Sequence, residues 1–196
     1  MPKPMPILAA PIAALAMSAP IAALAMSALA AVLAMPVPAA LAQGQQQQQQ
    51  AGPQRVGTFQ NWTAATHREG GQKVCYAFAR ATRSEGAPSN RQAPTLTVTH
   101  RPGGRDQLAL SAGFPLARNA ETVLRLGPAE HKSYATVQSN AFFDGTQAVP
   151  ALRQARGEAV ARTPNGRSNV TDAFPLAGFA QAYDAISREC PPERRG

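Results

Sequence analysis

Two cysteines are the most informative reactive residues of this 196-residue chain. No Cys-x-x-Cys motif is present, and no histidine adjoins Cys75 or Cys190, which argues against redox catalysis and against a zinc site. An even pair of cysteines in a chain bound for an oxidising compartment is typical of a structural disulfide. We therefore expect a Cys75–Cys190 bridge, and the export signal described below places the chain in such a compartment.

The histidines and acidic residues predict no catalytic or metal site. His67, His100 and His131 lie far apart and show no His-x-His or His-x-x-x-His spacing. A Gly-x-Ser-x-Gly motif for a nucleophilic serine is absent, as is a glycine-rich phosphate loop followed by Lys-Ser/Thr. Most acidic residues fall at predicted turns or loop edges, where solvated charges are expected: Glu69, Glu85, Asp106, Asp144 and Asp172. We expect a non-enzymatic protein that uses no cofactor and no metal.

The first 42 residues have the pattern of a cleavable export signal. Lys3 supplies the positive start, a long uncharged stretch rich in Ala and Leu follows, and Ala40-Leu41-Ala42 is the small-x-small pattern of a cleavage site. The sequence PIAALAMSA occurs at 11–19 and again at 20–28, so a duplication explains the unusual length. A retained transmembrane anchor is the alternative, which the prolines and the Ala-rich composition disfavour.

A linker, one domain and a short basic tail are predicted after the signal. Residues 43–55 are Gln-rich without apolar periodicity and should form a disordered tether, residues 56–190 form the domain, and residues 191–196 form the tail. The formal net charge of the whole chain is +8, which favours anionic lipid headgroups as partners or simply keeps the protein soluble. Export removes most access to nucleic acid.

The domain sequence predicts a mainly β fold, an antiparallel, meander-rich sandwich or curled sheet closed by a C-terminal helix. Short extended segments alternate with turn-forming sequences at Gly70-Gly71, Pro102-Gly103-Gly104, Asp144-Gly145 and Asn165-Gly166. A single strand is expected over 133–143, ahead of the Asp-Gly turn. Residues 82–92 have no periodicity and predict an exposed loop, and residues 149–156 predict at most two helical turns.

The closing helix is predicted over residues 176–189. Its apolar stripe has spacings of four, three and four residues and comprises Phe179, Tyr183, Ile186 and Cys190. The strand over 72–80 is apolar or small at successive positions, so we expect it to be buried on both faces. Cys190 then lies on the helix face that packs and Cys75 on a strand face that can receive it, which supports the disulfide.

Five aromatic residues are candidate partner or pocket residues. Trp62, the only tryptophan, is either a core residue of the first strand or a surface anchor for a partner. An alternative function is a small-ligand or lipid-binding module, with a pocket between the sheet and the helix lined by Tyr76, Phe78, Phe179 and Tyr183. A filled core at that place would favour a binding or structural role at the cell envelope instead.

Several motifs follow one another in a fixed order after the export signal. They are GTFQNW at 57–62, VCYA at 74–77, and DAFPLAGF at 172–179 before a helix that ends at Cys190. This order resembles the invasion-associated locus B family of exported Gram-negative envelope proteins, over about Val56 to Cys190. The chain is similar to a short two-cysteine form, because no cysteine occurs soon after the tryptophan.

The resemblance implies a non-enzymatic, virulence-associated protein of the periplasm or outer envelope. Its implied partners are an envelope or host-surface protein, or anionic lipid, and its implied role includes host-cell invasion. The family supplies no catalytic residues.

Overall fold

The computed structural model describes residues 52–193, and the predicted signal, most of the predicted linker and the last three residues lie outside this range. Within this range there are eleven strands and two helices: β1 Gln54–Phe59, β2 Trp62–Glu69, β3 Gln72–Arg80, β4 Arg83–Glu85, β5 Thr95–Arg101, β6 Gly104–Ser111, β7 Val123–Leu126, β8 Ala129–Val137, β9 Asn140–Phe143, α1 Gly145–Gln154, β10 Glu158–Asn165, β11 Ser168–Pro175 and α2 Phe179–Glu189.

All strands belong to one antiparallel sheet with the order β1-β2-β3-β5-β6-β9-β8-β7-β10-β11-β4. The sheet is curled, because β3 continues through Ala81 and Thr82 directly into β4 at the opposite end of the order. The Thr82 amide donates a hydrogen bond to the Ala173 carbonyl oxygen at 2.9 Å. The mainly β, antiparallel prediction is confirmed, and the curled sheet is the form that occurs.

Three predicted hairpins are present where the turn residues indicated. The Cα pairs that close them are Glu69–Gln72, Arg101–Gly104 and Asn165–Ser168. Gly70 and Gly71 have φ of 55° and 83°, the left-handed region that a tight hairpin requires and that glycine adopts without steric cost.

The predicted turn at Asp144-Gly145 is wrong, because Asp144 caps α1 instead. Its carboxylate accepts a hydrogen bond from the Thr146 amide at 3.0 Å, and the helix it starts extends over ten residues, beginning before the predicted 149–156. A Cβ on Gly145 would lie 1.5 Å from the Asp106 carbonyl oxygen, so close backbone approach requires this glycine. The single strand predicted over 133–143 is in fact β8 and β9, separated by a turn at Gln138 with φ of 55°.

The segment predicted as an exposed loop over 82–92 is largely exposed, but it is not wholly irregular, since residues 83–85 form β4 and the Arg91 side chain is buried in an ion pair. Arg91 donates to both carboxylate oxygens of Asp172, with the contact to Oδ2 at 3.0 Å, and the Ser84 hydroxyl donates to Asp172 at 2.7 Å. Asp172 is fully buried and the Arg91 side chain is 6% exposed. The ion pair fixes the segment against β11.

The core lies on the inner, concave face of the sheet, where both helices pack. Small and branched side chains line this face, and α1 and α2 add Leu152, Phe179 and Ile186 to the same cluster. Trp62 is fully buried, its indole N–H donates to the Pro175 carbonyl oxygen at 2.8 Å, and its ring lies 4.7 Å from that of Phe179. These contacts fill the space between the sheet and the last helix.

The prediction that the strand over 72–80 is buried on both faces is wrong for part of its outer face. Cys75, Ala77 and Ala79 point into the core, whereas Tyr76 and Phe78 are half-buried on the opposite face. In the described part of the chain both helices pack on the inner face, and the outer face of this strand is buried only at Val74.

Candidate functional site

The predicted disulfide is present and joins β3 to the end of α2. Cys75 is fully buried on the inner face of the sheet, Cys190 is the half-buried C-cap of the helix, and their Cα atoms are 6.0 Å apart. The bridge spans 115 residues of sequence. Because it consumes both cysteines, the chain has no thiol for nucleophilic or redox chemistry.

A polar cluster, which we call the His100 cluster, lies beside the disulfide under the last turns of α2. The His100 side chain is 1% exposed, and its Nε2 lies 3.2 Å from the Ser187 hydroxyl. The Asp106 amide donates to Nδ1 at 3.3 Å, and the Tyr183 hydroxyl donates to the Asp106 carboxylate at 2.8 Å. Arg105 completes the cluster by donating to Ser187 at 3.2 Å. The His100 cluster was not predictable from the sequence, since its members come from three separate elements, β5, β6 and α2.

The His100 cluster contains the residue types of a Ser-His-Asp triad in the wrong hydrogen-bonding arrangement. A triad needs a proton on Nδ1 facing the aspartate and a free Nε2 facing the serine. Here Nδ1 accepts a backbone N–H, so Nε2 carries the proton and donates to Ser187. Burial, and secondarily the charge of Arg105, lower the pKa of His100 to about 4. A weakly basic ring that already donates toward the serine cannot activate it.

A groove of about 570 Å³ runs beside the disulfide, between the β5–β6 turn and the C-terminal end of α2. Its three cations are already bonded: Lys73 to Glu189, Arg101 to Glu69 at 2.8 Å, and Arg105 to the carbonyl oxygen of the last helical turn. An anionic ligand would therefore have to replace existing partners, so the groove is a poor anion site.

The five candidate aromatic residues do not line one cavity. Trp62 and Phe179 are buried in the core, and Tyr183 is half-buried on the same side of the sheet, with its ring 5.3 Å from that of His100. Tyr76 and Phe78 lie on the outer face. The place expected for a ligand pocket is occupied by the Trp62–Phe179 contact.

The stacking of Tyr76 and Phe78 as a half-buried pair on the outer face is a feature that the sequence did not predict. Tyr76 and Phe78 stack with centroids 5.9 Å apart and planes inclined by 25°, and the His67 ring contacts Tyr76 edge-on at 5.3 Å. The neighbouring strand alternates threonine with core residues as Thr95-Leu-Thr-Val-Thr99. That alternation was the available signal, because it predicts a strand with one apolar face and one hydroxyl-bearing face.

The histidines do not form a metal centre. Within residues 52–193, no three His, Cys, Asp or Glu side chains are grouped closely enough to hold a metal ion. His67 pairs with Glu69 at 2.9 Å, His100 belongs to its own cluster, and His131 lies in β8. Neither helix in the described range is long and apolar enough to span a membrane.

A solved structure is similar to part of this chain. No family model matches, and no curated protein matches. The crystal structure of invasion associated protein B from Bartonella henselae is similar to 68% of this chain and 95% of its own length, with 18% sequence identity and a TM-score of 0.46. At that identity and TM-score the similarity carries no argument about ligand, partner or function.

Proposed function

We propose that this protein is a non-enzymatic domain of the cell envelope, exported from the cytoplasm, with a binding or structural role there. The observation that carries the proposal is the Cys75–Cys190 disulfide, which holds α2 on the sheet over a filled core. Structural disulfides persist in oxidising compartments such as the periplasm. The export pattern of residues 1–42 supports the same location.

The side-chain chemistry supports a non-enzymatic role. The buried His100 is oriented by a backbone amide and has a depressed pKa, and both cysteines are bridged. The filled contact between Trp62 and Phe179 also disfavours the alternative of a small-ligand or lipid pocket beneath the last helix.

The order of sequence motifs supports a finer proposal, a contribution to host-cell invasion with an envelope or host-surface partner. This part rests on the resemblance of residues 56–190 alone. Recovery of the protein at the outer membrane or cell surface is the result it requires.

Fractionation of native cells under thiol-trapping conditions tests the proposal. Cells are treated with a membrane-permeable maleimide, fractionated, and followed on non-reducing gels, and the amino terminus of the protein is read by mass spectrometry. We expect an oxidised, unlabelled species outside the cytoplasm that begins near Gln43. A Cys75→Ala/Cys190→Ala variant marks the mobility of the unbridged chain. Cytoplasmic protein with both cysteines labelled would refute the proposal.

A further inference from the structure

A cleft of about 380 Å³ lies over Phe78 on the outer face of the sheet. We call it the Phe78 cleft. The residues with charged, polar or aromatic side chains that line it are Arg55, Asn61, Thr63, Phe78, Arg80 and Thr82. Two of these residues are arginines and none is acidic, so the charge of the lining is entirely positive.

The strand register brings the two arginines to the cleft from opposite sides. Arg55 in β1 pairs with Ala65, which in turn pairs with Tyr76 of β3, so Arg55 lies in the cross-strand row of Tyr76. Arg80 is on the same face of β3, four residues beyond Tyr76, which is about 13 Å of extended strand. Phe78 lies midway between them. Because both arginines line the cleft, their side chains extend toward Phe78 from two directions.

Neither arginine of the cleft has an acidic partner. All eleven acidic side chains of the protein lie within residues 52–193, and none of them forms an ion pair with Arg55 or Arg80. The groove beside the disulfide differs in this respect, because Lys73 and Arg101 there are paired with glutamates. Two like charges that converge on one cleft repel each other, and a bound anion would remove that repulsion.

A phosphate monoester is the anion that fits two arginines best. It carries a charge of about −1.5 to −2 at pH 7, so it can neutralise both guanidinium groups, whereas one carboxylate can neutralise only one of them. The planar fork of a guanidinium group also donates to two phosphate oxygens at once.

The other residues of the cleft indicate what carries the phosphate. The half-buried Phe78 ring is an apolar floor against which the C–H face of a sugar ring can pack. The Asn61 amide and the Thr63 hydroxyl lie beside it and can form hydrogen bonds with sugar hydroxyl groups. A volume of about 380 Å³ is at the small end of the range for ligand sites, which suits a single sugar ring.

We propose that the Phe78 cleft binds a phosphorylated sugar, with Arg55 and Arg80 on the phosphate and Phe78 beneath the sugar ring. The inference rests on the proposed function and gives its binding role a ligand class. A soluble sugar phosphate and the phosphorylated sugar headgroup of an envelope glycolipid share the required chemistry.

The test is calorimetric titration of the oxidised, full mature protein with α-D-glucosyl phosphate, with glucose and with inorganic phosphate. We expect glucosyl phosphate to bind more tightly than either of the other two. Arg55→Gln and Arg80→Gln should each weaken its binding about 5- to 10-fold, because each removes one charge-assisted contact that water only partly replaces. Arg167→Gln is the matched control, since Arg167 is an exposed residue of the β10–β11 turn that does not line the cleft.

A further variant tests the sugar contact separately from the phosphate contact. Phe78→Thr retains both arginines but removes the ring, so it should bind glucosyl phosphate no more tightly than inorganic phosphate. Folding of each variant is checked by the fluorescence of the buried Trp62.

Vesicles separate the two sources of the ligand. Phosphatidylcholine vesicles that carry a phosphorylated disaccharide lipid are compared with vesicles of equal charge that carry phosphatidylglycerol. Preferential binding of the disaccharide lipid that Arg80→Gln weakens assigns the glycolipid headgroup, and binding of glucosyl phosphate without vesicle binding assigns the soluble compound.

Three results would overturn the inference. They are absence of binding to both glucosyl phosphate and the disaccharide lipid, equal weakening by Arg167→Gln and Arg80→Gln, and equal binding of the two kinds of vesicle by a protein that does not bind glucosyl phosphate. Export and oxidation are measured separately, so an exported, oxidised protein that binds no phosphorylated sugar refutes this inference and leaves the proposed function intact.

Discussion

At the scale of single residues, burial decides what the reactive groups can do. His100 and Asp172 are both buried, but their surroundings differ: the His100 environment favours the neutral ring, whereas Asp172 accepts Arg91 and Ser84 as charge-stabilising donors. One group is therefore sensitive to acid, and the other depends on its ion partner. The effect of acid on His100 and the effect of removing the Arg91 partner of Asp172 can each be measured as a change in the free energy of unfolding.

The unfolding free energy should fall as the pH is lowered from 6.5 to 4 because of His100. Its folded-state pKa is about 4 against an ordinary value of 6.5, so in this interval the unfolded chain binds a proton that the folded protein excludes. The contribution is fully retained above pH 6.5 and is lost progressively down to about pH 4, by up to about 3 kcal/mol. Urea titrations at several pH values measure it.

His100→Gln is the matched variant for that measurement, since it keeps a polar group and removes the titration. Carboxylates away from position 100 contribute equally to both proteins, so the difference between the two pH profiles reports His100 together with its neighbour Asp106. Parallel profiles for the two proteins between pH 7 and pH 4 would contradict the prediction.

Arg91→Met should be among the most destabilising single changes in the domain. It leaves the fully buried Asp172 carboxylate without its cation, which costs about 3–5 kcal/mol in comparable sites. The double variant Arg91→Met/Asp172→Leu should recover much of the loss, because it removes both charges. Chemical denaturation of the parent and the two variants measures the coupling, and an Arg91→Met protein as stable as the parent would contradict the prediction.

At the scale of helices and strands, turn chemistry made most of the fold predictable from sequence. Glycine pairs and Asn-Gly located three hairpins, and the apolar stripe of residues 179–190 located the last helix. The same Asp-Gly signal failed at Asp144, because an aspartate that bonds a backbone N–H two residues on can begin either a turn or a helix. The Asp106 carbonyl oxygen packs against Gly145 and selects the helix over the turn. This contact is distant in sequence, so the local residues do not indicate it.

The candidate site was less predictable than the fold for the same reason. The outer face around Tyr76 and Phe78 forms only when five strand pairings bring together residues between positions 63 and 142. The His100 cluster likewise needs α2 to lie on β5 and β6. Alternation along one strand indicates which face a residue occupies, but the neighbours across the sheet depend on register.

The helix cap at Asp144 gives a test at this scale. Asp144→Ala should lower the Tm by a few degrees, because the Thr146 amide loses its acceptor at the start of α1. Asp144→Ser should retain most of the Tm, since serine is also an effective cap. Differential scanning calorimetry separates the two, and an Asp144→Ser protein as unstable as Asp144→Ala would show that the side-chain cap contributes nothing.

At the scale of the whole molecule, the two faces of the sheet differ in what packs against them. The inner face is filled by both helices and closed by the disulfide, so it supplies stability and has no room for a ligand. The outer face of strands β2 to β9 carries threonine, alanine and aromatic side chains, and neither helix of the described chain packs on it.

The disulfide should account for a large share of the total stability. Closing a loop of 115 residues restricts the unfolded chain by about 4–5 kcal/mol in the chain-entropy model. Cys75→Ala/Cys190→Ala should lower the urea midpoint accordingly, and reductant should lower the midpoint of the parent protein to the same value while leaving the variant unchanged. Because Cys75 is fully buried and the bridge anchors the end of α2, we also expect proteolysis of the reduced protein to begin within α2. An equal urea midpoint for the oxidised and fully reduced parent protein would show that packing of α2, rather than the bridge, closes the core.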